Sequence, residues 1–302
     1  MVKTAGHSQC TARIREAEPT VERPAKDYDP TRNVYEKKET LAQLPSGWRL
    51  IAKTAAKHST MRQKRKTGAD LAEMGYAIVP GVLAPEEIGC LVSQLAQTEL
   101  PSSFRRRGET YAIRNLLDAV PAIRRLAASP AIRGLVEPAL GAQAFPVRGL
   151  LFDKTPQANW KVPWHQDLSI AVKEKRDLAG FGPWSIKAGV VHVQPPPAIL
   201  EGMLAVRIHL DDCGDLNAPV RVIPGSHLRG RLGAREIRQA STAPAVSCTV
   251  GAGGVLLMRP LLLHASSAAQ SPLHRRVIHL EFASGPLPGG LEWAIGCQRD
   301  AL

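Results

Sequence analysis

Residues 259–283 read RPLLLHASSAAQSPLHRRVIHLEFA. Two apolar runs, Leu261–Leu263 and Val277–Leu280, flank a polar segment that ends near Ser271–Pro272. Short runs bounded by Pro and small polar residues are strand signals. More of them lie upstream: FPVRGLLFDK at 145–154, MLAVRIHLDD at 203–212, VRVIPGSH at 220–227 and VSCTVGAGGVLLM at 246–258. Several short strands at this spacing predict a sandwich or barrel, and 24 Pro with 25 Gly suit a chain of many turns. Ahead of the strands, the pattern predicts a short helix ending at Met74–Gly75 and a strand at Tyr76–Val79. An amphipathic helix follows near Ala84–Pro85, with Glu86 and Glu87 in its first turn, where the macrodipole favours them. Residues 119–140 read as two more helices parted at Ser129–Pro130. The predicted class is mainly β with flanking α-helices. Residues 173–200 fit neither period and are long for a structureless loop, which marks a lid-like insert.

The chain has 302 residues, 44% hydrophobic and 22% charged, as in an ordinary globular protein. No apolar run approaches the ~20 residues a spanning helix needs, so no membrane partner is expected. The net charge of +12 is uneven: residues 1–66 hold 15 Lys/Arg against 7 Asp/Glu, a net of +8. We read 1–66 as a basic, disordered extension and 67–302 as the folded domain. A basic arm could bind nucleic acid, but no aromatic stacking pattern or nucleic-acid motif accompanies it, so a solvated tail is favoured. The five Cys are widely spaced and form no CxxC, which points to a reducing, cytoplasmic setting rather than a disulfide scaffold or zinc site.

The chemistry concentrates in WHQDLSI, Trp164–Ile170. On an extended chain, residues i and i+2 project to one side, so an imidazole of His165 and the carboxylate of Asp167 can meet on one ion. A third ligand from another strand would complete a two-histidine, one-carboxylate triad, the ligand set of non-haem Fe(II). His264 follows a strand and precedes a polar turn, and Arg275 opens the next strand eleven residues later. A guanidinium there can pair two-pronged with the far carboxylate of a chelating 2-oxo acid. Arg276 is the rival, on the opposite strand face. Arg207 and His209 share one face of their strand, which either lines the cavity or is solvated. His279 has the parity of Arg275. His192 and Trp184, in the insert, are candidates to approach substrate. Trp164 reads as a structural wall, and Lys154 as strand-end solvation.

With these residues in place, the chain resembles the phytanoyl-CoA dioxygenase family over about Thr67–Ala283. The resemblance rests on EMGYAIVPGVLAPEEI, PWHQD, LDDCGDLNAPVRVIPGSHLRGRL and the terminal H…RRVIHLEF. It implies a double-stranded β-helix, a jelly roll of the cupin type. It also implies Fe(II) held by His165, Asp167 and His264, 2-oxoglutarate held by Arg275, and O2 as co-substrate. Arg114 best fits the basic residue that the family uses upstream of the core strands, and Arg207 is a further co-substrate candidate. Where the family has Asn-Gly after the acidic turn, this chain has Asn217–Ala218, a change expected to alter the turn but to touch no ligand. Halogenating relatives replace the metal-binding carboxylate with a small residue; Asp167 is retained, so the resemblance favours hydroxylation of a small molecule. The alternative is a jelly-roll binding protein that catalyses nothing or holds another metal. Substrate identity and oligomeric state are not legible.

Overall fold

The structure is a computed structural model and describes residues 67–98, 106–107, 109–110, 112–271 and 274–295. The basic extension 1–66 lies outside them. In chain order the strands are β1 (Tyr76–Val79), β2 (Arg106–Arg107), β3 (Glu109–Thr110), β4 (Ala112–Ile113), β5 (Phe145–Lys154), β6 (Val162–His165), β7 (Ile170–Val172), β8 (Trp184–Lys187) and β9 (Val190–Val193). They continue with β10 (Met203–His209), β11 (Val220–Val222), β12 (Val246–Cys248), β13 (Val255–Met258), β14 (His264–Ser266) and β15 (Arg275–Ala283).

A six-stranded sheet runs β1-β13-β10-β15-β5-β4, and a four-stranded sheet runs β12-β11-β14-β6. The chain passes back and forth between them: β5 to β6, β10 to β11, β12 to β13, β14 to β15. All the pairings are antiparallel. This two-layer winding is the jelly roll that the resemblance implied, and a sandwich of the kind the strand pattern predicts.

One face of the larger sheet carries Leu204, Val206, Ile208, Leu257, Ile278, Leu280 and Phe282, all fully buried against helices. Those helices are Pro85–Gln97, Leu116–Ala119, Pro121–Ala128 and Pro130–Leu140. Ala84 cannot cap with a side chain, so its N–H donates to Glu87 Oε2 at 2.8 Å, and Pro85 spares one orphan donor. Ser129 Oγ accepts from the Ile132 N–H at 3.4 Å, which starts a new helix where Pro130 ends the last. Because the apolar parity of β10 is spent on the helices, Arg207 and His209 must face inward, between the sheets.

The insert is more ordered than its sequence pattern predicts. Within 173–200, β8 and β9 form a hairpin that pairs with β7 in a three-stranded sheet, followed by the helix Pro197–Glu201. Its turn places Ala188 and Gly189 at φ 50° and 78°. Alanine rarely accepts that conformation, so the Asn-Gly signal of such a turn is missing from the sequence.

Candidate metal centre

β6 ends at His165 and β14 begins at His264, directly opposite each other in neighbouring strands. Their ring centroids are 4.2 Å apart. Asp167 lies two residues past His165, held by its N–H donating to Pro260 O at 2.9 Å. Gln166, between them, points the other way and clamps three backbone groups. Its Nε2 donates to Gly230 O at 2.8 Å and Leu261 O at 2.7 Å, and its Oε1 accepts from the Leu232 N–H at 2.8 Å. The alternation of an extended strand thus puts His165 and Asp167 on one side.

Ligand atoms of His165, Asp167 and His264 lie within 4.8 Å of one another. His165 Nδ1 faces Pro163 O at 2.9 Å and His264 Nδ1 faces Leu262 O at 2.8 Å. A carbonyl only accepts, so each Nδ1 carries a proton, and Nε2 is the ring nitrogen turned toward the shared centre. Both Nε2 atoms stand 3.7 Å from an Asp167 carboxylate oxygen. This is the outer-shell arrangement that readies imidazoles for a metal. Burial pushes His264 down to about 4, against the pull of Asp167, so its ring is neutral at pH 7. Burial also works to raise the Asp167 carboxyl, but His264, His279, His165 and Arg207 outweigh it and hold it at about 2. Of these, the guanidinium keeps its charge throughout the physiological range.

The triad opens on a cavity of about 450 Å³ between the sheets. At one end Arg275 is 3% exposed; its Nη1 donates to Ala218 O and contacts Ser266 Oγ at 3.4 Å. Arg207, also buried, places Nη1 2.9 Å from His279 Nδ1. The Nε atoms of both arginines are buried without a protein partner. Unsatisfied cationic donors of this kind fit an anionic ligand. Lys154 stands behind them, fully buried, with Nζ donating to Ser266 Oγ at 2.9 Å and Ser267 O at 2.5 Å. Burial first, then Arg275 and Arg207, lower it to about 7. The strand-end solvation reading of Lys154 is therefore corrected: its position opposite Arg275 in the β5–β15 ladder puts it in the interior.

Parity separates the two arginines at the head of β15. Arg276 turns away and forks onto Asp211, with Nε and Nη2 at 2.9 and 2.5 Å. Ala218 bears on Arg275 through its backbone. It sits at φ 51°, and its carbonyl accepts from both Arg275 and Ser266 Oγ, the latter at 3.1 Å. The turn in which Ala replaces the family's Gly therefore does bear on Arg275. Arg114 and His279 line the cavity with Arg207.

Three of the candidates for substrate contact are not brought to the cavity wall. His209 shares the inward face but is 2% exposed, and neither ring nitrogen has a partner. Burial, then Arg207 and Arg275, push it down to about 3. His192 is buried with Nδ1 2.9 Å from Val190 O. Trp184 packs in an apolar cluster with Ile170, Val193 and Leu291. Trp164 is likewise structural, stacking under Arg221 at 5.4 Å. Sequence reasoning missed Arg148, Lys187 and Glu281, which do line the cavity. Glu281 keeps the strand parity of Arg275 and His279, and that spacing could have found it.

Residues 71–277 match the family model for phytanoyl-CoA dioxygenase. The chain belongs to that family. No curated protein matches the sequence. Among solved structures, EvdMO1 superposes with a TM-score of 0.56 at 23% identity, covering 74% of this chain and 50% of that one. This chain thus spans half the length of EvdMO1. The non-heme alpha ketoglutarate dependent carbocyclase SnoK, from nogalamycin biosynthesis, gives 0.56 at 18% identity, covering 77% of this chain and 87% of its own. EctD from S. alaskensis, solved with 2-oxoglutarate and 5-hydroxyectoine, gives 0.55 at 19% identity, covering 74% and 75%. At such identities these likenesses speak for the shared jelly roll, and the family rests on the sequence match.

Proposed function

We propose that this family member is an Fe(II)- and 2-oxoglutarate-dependent dioxygenase that hydroxylates a small molecule. The observation that carries the reading is the convergence of His165 Nε2, His264 Nε2 and the Asp167 carboxylate beside a cavity ended by buried cations. His165, Asp167 and His264 would hold iron, and Arg275, with Arg207, would hold 2-oxoglutarate; Arg114 lines the same cavity as a further co-substrate candidate. When bound, iron and 2-oxoglutarate supply oxidation by O2, with release of succinate and CO2.

The protein's own part is positional and electrostatic. The carbonyls of Pro163 and Leu262 hold both imidazoles in the ligating tautomer. Asp167 supplies one negative charge and, being a carboxylate, closes the site to a halide. Ser266 and the Ala218 carbonyl hold the Arg275 guanidinium at Nη1, and Leu150, Phe152 and Val220 give the cavity an apolar stretch of wall. The retained Asp167 carboxylate favours hydroxylation over halogenation.

The test is succinate release coupled to O2 uptake by the iron-loaded protein, beside metal content. His264→Ala should weaken metal binding at least tenfold, on the scale of losing one ligand set, and abolish turnover. Full turnover by a verified metal-bound His264→Ala protein would remove the basis of the assignment. Arg275→Ala should raise the 2-oxoglutarate requirement by about 2–5 kcal/mol, the cost of truncating a buried charge pair.

A further inference from the structure

Five cationic side chains line the cavity, Arg114, Arg148, Lys187, Arg207 and Arg275, against two carboxylates, Asp167 and Glu281. A ferrous ion and a 2-oxoglutarate dianion carry equal and opposite charge, so loading both leaves the cationic surplus in place. Arg207 and Arg275 lie at the buried end assigned to the co-substrate. The surplus that remains is at the other end.

That end is built, not incidental. Arg148 lies opposite Glu281, six residues along β15 from Arg275, or about 20 Å at the rise of a strand. The side chains of the two arginines therefore enter the cavity from backbone positions well separated along the strand. Arg148 Nη1 donates to Glu281 Oε1 at 3.0 Å, with both side chains largely buried. The same Glu281 oxygen lies 3.4 Å from His279 Nε2. Glu281 Oε1 is thereby shared between Arg148 and His279, and at Lys187 the carboxylate acts only as a nearby opposite charge, weaker than the repulsion from Arg148 or from Arg114. Lys187 reaches the cavity from the end of β8 and, among the described residues, has no hydrogen bond or ion pair. The hairpin that presents it is anchored by Asn115 Nδ2 donating to Ala188 O at 3.2 Å. Burial, then the nearby charges of Arg148 and Arg114, lower the Lys187 ammonium. Like charges crowded at a half-buried wall are a strain that an anion relieves.

We infer that the primary substrate carries an anionic group, a carboxylate or a phosphate, seated between Arg148 and Lys187 on the side of the metal triad away from Arg275. The inference rests on the oxygenase reading and adds a substrate class to it. It makes Lys187 a specificity determinant contributed by the insert.

Matched probes test it on the full chain loaded with Ni(II) and saturating 2-oxoglutarate. Benzoate and phenyl phosphate are compared with benzamide and phenol by calorimetry. The anions should bind at least about tenfold more tightly than their neutral partners. Lys187→Ala should weaken the anions about fivefold, as for a partly exposed charge pair, and leave benzamide unmoved. Lys187→Arg should restore them, and Lys187→Glu should reverse the preference. The ratio of benzoate to phenyl phosphate affinity tells which anion fits. Equal binding of acid and amide, or anion affinity insensitive to Lys187→Glu, overturns the subsite. So does anion binding that saturating 2-oxoglutarate abolishes, because the probes would then occupy the Arg275 end. Binding of 2-oxoglutarate itself to the Ni(II)-loaded protein reports on the parent reading separately. If it binds and the acids show no preference, the subsite alone fails.

Discussion

Ala218 occupies a left-handed backbone, φ 51°, that costs an L-residue with a Cβ roughly 1–2 kcal/mol. Ala218→Gly should relieve that strain, less the extra entropy glycine loses on folding, for a net gain near 0.5 kcal/mol and a rise in melting temperature of about 1–2 °C. A fall would show that the Cβ has a packing role. Gln166 is the opposite case. It is 5% exposed and satisfies three backbone groups from its place between His165 and Asp167. Gln166→Ala should cost about 2–3 kcal/mol in denaturant unfolding, since it strands buried donors and acceptors. The convergence of His165 and Asp167 was legible because strand alternation makes His-x-Asp a geometric statement. Lys154 was not, because nothing local marks a lysine at a strand end as interior; that depends on which strand lies beside it. The effect of Ala218 on Arg275 was not legible for a related reason: it runs through a carbonyl, which no side-chain pattern reports.

At the level of elements, most strands and the helices around Pro85, Pro121 and Pro130 follow from Pro, Gly and apolar spacing. The β8–β9 hairpin did not, because its turn uses Ala188 where Asn or Gly would have announced it. Its docking depends on Asn115, itself left-handed at φ 57°. Asn115→Gly keeps that backbone comfortable and removes only the bond to the Ala188 carbonyl. The expected loss is about 0.5–1.5 kcal/mol, with faster amide exchange confined to residues 184–193. Unchanged exchange there would mean that pairing with β7 alone holds the hairpin. The motif Pro224–Gly225–Ser226 has a structural duty of the same kind. Gly225, at φ 74°, turns the chain so that Ser226 Oγ accepts from the Leu263 N–H at 2.8 Å, just ahead of His264.

Across the whole molecule, buried neutral imidazoles set the response to acid. Burial pushes His192 and His264 to about 4 and His209 to about 3, against 6.5 for an exposed histidine. Between those values the unfolded chain binds more protons than the native one, so stability falls as pH drops from 6.5 toward 4. The metal-free protein should lose on the order of a few kcal/mol across that window. A melting temperature constant from pH 6.5 to 4.5 would contradict it. The pairing of His165 with His264 has a mechanical corollary. The two rings lie on adjoining strands that are distant in the chain, with the insert and five strands looped out between them. An ion gripping both would act as a removable rivet across the β6–β14 seam, closing a long loop at little entropic cost to the native state and much to the denatured one. Stripping the ion with a chelator should therefore hasten proteolytic nicking within that looped segment, and restoring it should slow the cutting again.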